Sequence, residues 1–227
     1  MKFIGSAVVL VLFLTSHGTT QEAKIAYRSM APLSQYLMPR DAEISLARSA
    51  APKSLSDDAE ILILTEGGFQ TTVKGRNGFV CMVARSWSAD YDDPDFWDPK
   101  LHAPICYNAL AARSQVPATV KRTQVVMAGG SPAQVRTAVE AAIKSGELNT
   151  AEVGSMAYML SKQAYLNNRV GHWHSHLMFF TPETDPKSWG AGLTDSPVLG
   201  ISYPKEHLTV FLIPVARWSD GTNSAEH

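Results

Sequence analysis

The chain is short of net charge, of cysteine and of long apolar runs, and each shortage removes a class of function. Twenty Lys and Arg stand against 21 Asp and Glu, a formal charge of −1, and no basic run occurs. Wholesale binding to nucleic acid or to an anionic membrane is therefore not expected. No internal repeat or low-complexity tract is present, which excludes solenoids and propellers. G-x-S-x-G, a Walker A loop and a Rossmann glycine fingerprint are all missing, and no S-x-x-K has plausible partners. With 45% apolar residues in a chain of 227, one well-filled domain is expected.

What is present begins at the N-terminus, "MKFIGSAVVLVLFLTSHGTTQEAK". Lys2 forms a short positive region, and Phe3–Leu14 is an apolar stretch of signal-peptide length, well under the ~20 residues of a membrane span. Ser16-His17-Gly18 places small residues for cleavage after Gly18, with Thr20 as the alternative. The expectation is a signal peptide at 1–18, a secreted or periplasmic mature protein and no stable membrane span after processing. A loosely ordered segment, 19–40, is expected to precede a single domain at 41–227. In an oxidising compartment the two cysteines, Cys81 and Cys106, are expected to form a disulfide, with two separate buried thiols as the alternative.

Residues 39–52, "PRDAEISLARSAAP", predict a helix capped by Asp41 and ended by Pro52. Three strands, at about 60–65, 69–74 and 79–85, are predicted to form a meander. Residues 86–107 read as an irregular loop, in which Asp90, Asp92, Asp93, Asp95 and Asp98 mix with Tyr91, Phe96 and Trp97. Helical signals run from 108 to 146. The best punctuated helix starts with Ser131 as N-cap and Pro132 at the first position and stops before Gly146. Its stripe of Val135, Ala138, Val139, Ala142 and Ile143 faces a core, and no chemistry is assigned to it. Strands at 172–180, 198–203 and 208–215 follow. Two strand clusters separated by helices predict an α+β fold, with a mainly antiparallel sheet partly covered by helices.

The chemical signal is "VGHWHSHLMFF", residues 170–180. His17 falls in the signal peptide; of the six remaining histidines, three lie within five residues. On a strand, His172, His174 and His176 share one face. Two of them can meet one ion, and all three only if the strand bends or bulges, since an ideal strand spreads the outer pair to ~13 Å. A divalent transition metal, zinc (Zn) or copper (Cu), is thus the expected partner and cofactor. Outside ligands are drawn from His207, Glu206, Glu183, Asp185 and His102, with His207 preferred because it starts another predicted strand. Met156, Met159 and Met178 offer thioethers that suit copper.

The stretch "VGHWHSH" resembles the zinc motif of JAMM-type metallo-isopeptidases. That resemblance implies His174 and His176 as zinc ligands, with Ser175 between them. It covers seven residues, Leu177 stands where proline is usual, and the S-x-x-D that supplies the aspartate ligand is absent. More broadly, "NGFVCMV", "APICYN", "GHWHSHLMFF", "WGAGL" and "IPVARWSDGT" resemble a family of exported bacterial proteins. That resemblance covers most of the mature chain and implies export, and it carries over no catalytic role to any residue. Three functions are expected to compete. They are a metal-binding protein, a metal-dependent hydrolase that activates water at the same histidines, and an interaction module built on the 90–98 loop.

Overall fold

The computed structural model of the protein describes residues 27–165 and 174–224. The signal peptide expected at 1–18, the start of the 19–40 segment and His172 lie outside the described residues. Residues 27–39 differ from the loose segment expected. Leu33–Gln35 forms a 3-10 turn, and Tyr36 is fully buried against Trp87 at 4.9 Å, its hydroxyl donating to the Trp97 carbonyl at 2.8 Å.

Among the described residues, eight strands form one sheet: β1 (Glu60–Thr65), β2 (Gly68–Val73), β3 (Val80–Ala84), β4 (Ala103–Tyr107), β5 (Ser155–Met159), β6 (His176–Pro182), β7 (Leu199–Tyr203) and β8 (Leu208–Pro214). Their order is β2-β1-β3-β4-β5-β6-β8-β7, antiparallel except where β3 runs parallel to β1. The α+β expectation holds, but the predicted meander does not. Ile61–Leu64 is apolar at four consecutive positions and buried, as a strand with neighbours on both sides requires. β2 exposes Gln70 and Thr71 and therefore takes the edge.

The chain must then cross back past the start of β1, and Gly75 permits it. A Cβ there would stand 2.2 Å from the Glu60 backbone nitrogen. Arg76 secures the crossing, with its amide on the Asp58 carbonyl and its guanidinium on the Asp58 carboxylate at 2.7 Å.

The predicted 86–107 loop ends early, because 103–107 is a fully buried central strand. Proline is unusual in such a strand. It is tolerated here because β4 is in register with β5 only at Cys106 and Tyr107, leaving Pro104 beside β3 alone.

Helices cover both faces: α1 (Arg40–Arg48), α2 (Lys53–Ser56), α3 (Ala109–Met127) and α4 (Pro132–Lys144). Pro39 precedes α1 without a side-chain cap, and Asp41 sits inside the first turn rather than capping it. There its charge favours the helix dipole. α4 carries the full capping box, Ser131 with Gln134, with Pro132 at its first position.

α1 and the turn after it pack Leu46, Ala47 and Ala50 over the face holding Ile61, Val83 and the Cys81–Cys106 disulfide. α3 covers the opposite face, where Met82, Ile105, Ala157 and Phe180 are buried. Trp87, Tyr91, Phe96 and Trp97 form a third cluster with Val126 and Val135, so the aromatics of the acidic loop are core residues. No helix among the described residues is long and apolar enough to cross a membrane.

Candidate functional site

Two places gather chemistry-bearing side chains. The first is the start of β6. The strand begins at His176, so His174 and Ser175 precede it rather than extending the ladder. His174 is exposed and His176 is 6% exposed. His176 Nδ1 lies 2.9 Å from the His174 carbonyl oxygen. A carbonyl only accepts, so Nδ1 carries the proton and Nε2 keeps its lone pair. Burial pulls the His176 pKa below its ordinary value and keeps the ring neutral. Ser175 is buried and donates to the Val215 carbonyl at 2.7 Å, a purely structural use.

His207 does not join this pair. β6 and β8 are registered with His176 opposite Pro214 and Pro182 opposite Leu208, so His207 sits at the far end of the ladder. At ~3.3 Å per residue that is about 20 Å away. Instead His207 takes a left-handed conformation at φ 49°, with Nδ1 3.7 Å from Glu183. Asp185 accepts from the Lys187 amide at 3.0 Å, and Glu206 belongs to another site described below. Among the described residues no group of three or more His, Cys, Asp or Glu side chains could hold a metal ion.

His102 points to the opposite sheet face, beside Arg85, since its neighbour Ala103 pairs with Ala84. Its backbone bridges to Tyr165 in both directions, at 2.8 and 2.9 Å. Its Nε2 is buried with no hydrogen-bond partner among the described residues. Burial first, and the Arg85 charge second, lower its pKa to about 4.

A histidine depressed in the folded state takes up its proton in the unfolded state first. Its contribution is therefore complete above the ordinary value and is lost as pH falls through the folded one. Stability is expected to decline between about pH 6.5 and 4. Because the ring is only half-buried, solvent screening holds the effect to the order of 1 kcal/mol. Urea titrations at pH 7 and pH 4.5 test this. His102→Gln should lose less stability between them than the parent, and an unchanged difference would refute the assignment.

The second place is a cleft of about 410 Å³ at the β7 end of the sheet. Asp90 and Tyr91 of the acidic loop form one wall, Arg136 and Glu140 of α4 another, and residues 202–206 the floor. Its back is a buried network that joins three distant parts of the chain. The Tyr91 hydroxyl donates to Glu206 Oε1 at 2.9 Å, and Arg122 lies 3.5 Å from the same oxygen.

Arg122 also donates to the Ala89 carbonyl at 2.9 Å and stacks on the Tyr91 ring at 4.2 Å. Arg136 approaches that ring at 5.1 Å and binds Asp92 at 2.6 Å. Burial raises the Tyr91 pKa, opposed by Arg122 and reinforced by Glu206, so the phenol keeps its proton at neutral pH. Burial likewise raises Tyr203. The acidic loop is the signal in the sequence that points here, since it supplies Asp90 and Tyr91, whereas Arg136 and Glu140 lie on a helix to which the sequence assigns no chemistry.

Compared with known proteins, the chain matches no family model, no curated protein and no solved structure.

Proposed function

We propose that the mature chain is an exported ligand-binding protein and that its ligand occupies the cleft between the acidic loop, α4 and residues 202–206. One observation carries this reading: the Tyr91–Glu206–Arg122 contacts tie the acidic loop, α3 and residues 202–206 together behind the cleft and so fix its shape. Binding suits the lining better than catalysis. Glu206 is held by a phenol and a guanidinium, Tyr91 keeps its proton, and Ser202, the one serine of the lining, has no histidine there. The signal-peptide pattern and the disulfide support export.

A second reading, metal binding at the start of β6, is favoured by the His174 carbonyl that fixes the His176 tautomer. Metal-bound histidines are oriented in this way. Met159 stands directly opposite His176, and Met178 lies two residues along the same face, a soft donor set that suits copper. A metal-dependent hydrolase at this place needs a further ligand in place of His207.

One preparation tests both readings. Mature protein is screened for thermal stabilisation by small polar molecules and analysed for bound metal. A cleft ligand at a hundred times its Kd should raise the midpoint by about 5 °C or more. The rise should vanish in Tyr203→Ala but survive in His174→Ala/His176→Ala. Stoichiometric zinc or copper that is lost in the histidine variant, with no cleft-dependent rise, would reverse the choice.

A further inference from the structure

We infer that the ligand of this cleft is an uncharged, hydroxyl-rich molecule of one or two rings, a mono- or disaccharide or the end of a glycan. The inference rests on the binding reading above and adds the chemical class. It comes from how the charges around the cleft are matched.

Each cation already has its carboxylate: Arg122 lies 3.5 Å from Glu206, Arg136 2.6 Å from Asp92, and Lys205 3.7 Å from Glu140. Asp90 stands close enough to Arg136 to strengthen its hold on its proton. An anion entering here would have to break one of these pairs or remain unmatched after losing its water, and a cation finds only Asp90, which already faces Arg136. The cost is largest at the buried Arg122–Glu206 pair, whereas the Arg136–Asp92 and Lys205–Glu140 pairs are more exposed and cheaper to open. A neutral ligand meets no such penalty.

The same lining offers a neutral polyol what it needs. Carboxylates of Glu140 and Asp90 accept from hydroxyl groups, while Lys205, Arg136 and the Ser202 and Tyr203 hydroxyls donate or accept. Between these polar points lie Pro204, the Tyr203 ring and the aliphatic stems of Arg136 and Lys205. Such surfaces pack against the C–H faces of a pyranose ring, which pairs apolar faces with a polar rim. The cleft volume is near the lower end of the ~300–1,000 Å³ typical of small-molecule sites, which limits the occupant to one or two rings.

Isothermal titration tests this with methyl glucoside, methyl galactoside, methyl mannoside, maltose and cellobiose, against glucuronate and glucosamine as charged counterparts. The expected result is that at least one neutral sugar binds and both charged sugars bind about tenfold or more weakly. Glu140→Gln/Lys205→Gln, which leaves the net charge unchanged, should weaken the neutral sugar by about tenfold while the melting midpoint holds. A methyl glycoside that binds as well as its free sugar identifies a glycan end. Loss of binding on methylation identifies the free sugar.

A charged sugar that binds as tightly as the neutral one, or tighter, overturns the class. So does failure of every neutral sugar while another compound stabilises the parent and not Tyr203→Ala, an outcome that leaves the cleft itself standing. If nothing in the wider screen depends on the cleft, the underlying reading falls instead.

Discussion

Glu43→Ala is expected to lower the free energy of unfolding by about 3–5 kcal/mol and the thermal midpoint by about 10 °C. Glu43 and Arg85 form an ion pair at 2.9 Å in which both side chains are wholly buried. Arg85 also donates to the Tyr36 carbonyl at 2.9 Å and to the Val83 carbonyl, while Glu43 Oε1 accepts from the Leu64 amide at 3.0 Å. Four segments meet at this pair: the N-terminal turn, α1, β1 and β3.

Removing the carboxylate leaves a guanidinium sealed in the protein with only carbonyls for company. Burial already pulls the Arg85 pKa below its ordinary value, and Glu43 is the group that opposes it. Because domains are stable by only ~5–15 kcal/mol, the loss is a large share of the total.

The cause is the unpaired charge rather than the missing contact, and a second variant separates the two. Glu43→Met/Arg85→Met should be less destabilised than Glu43→Ala, because no charge is left buried. Urea denaturation followed by circular dichroism measures both. A single variant costing under about 1 kcal/mol, or a double variant that is worse than the single, would refute the account.

Cys81→Ala/Cys106→Ala is expected to cost about 3 kcal/mol. The bond closes a 25-residue separation, and cross-linking a loop of that size removes roughly that much chain entropy from the unfolded state. The two cysteines are also registered opposite each other on β3 and β4 and are fully buried beneath α1.

Burial adds a kinetic expectation: a thiol reagent reaches the bond only after the α1 layer opens. Dithiothreitol should therefore reduce it slowly in buffer and quickly in urea, followed by mass spectrometry of alkylated protein. Fast reduction in buffer with the fold intact would contradict the buried position. The double variant should lose about 6–12 °C in midpoint.

Local signals hold where the chain's own neighbours decide the structure, except at the start of α1, where Pro39 and not Asp41 takes the cap position. Ser131, Pro132 and Gln134 specify the start of α4 within one turn, and the edges of β7 and β8 follow from turn residues. Errors arose where distant pairing decides. Nothing near residues 60–84 says that β3 pairs with β1 rather than β2; that depends on Gly75 passing the Glu60 backbone. Pro104 disguised a central strand, because its exemption comes from the short β4–β5 ladder.

The candidate sites divide in the same way. The histidine cluster is visible as three letters, but His207 was assigned to it without knowing which end of β8 it occupies. Tyr91 and Glu206 are 115 residues apart, and each looks ordinary alone. The acidic loop was noticed for its composition, yet its partners on α3 and α4 carry no motif. Arg122 in particular sits in a helix interior and becomes informative only when its guanidinium is seen against the Tyr91 ring.

The strand order has a consequence for how the chain is assembled. From β3 to β6, each strand as it is made finds its neighbour already in place, so sheet growth follows synthesis. The rule breaks once: β7 precedes the strand it pairs with, and it stays unattached until β8 has inserted beside β6. A nascent chain stopped short of Leu208 therefore bears the bare edge of β6, with Leu177, Met178 and Phe179 along it, and a loose apolar strand behind. That intermediate is the one most prone to pair with another molecule. β8, the last strand made, acts as the seal of the sheet.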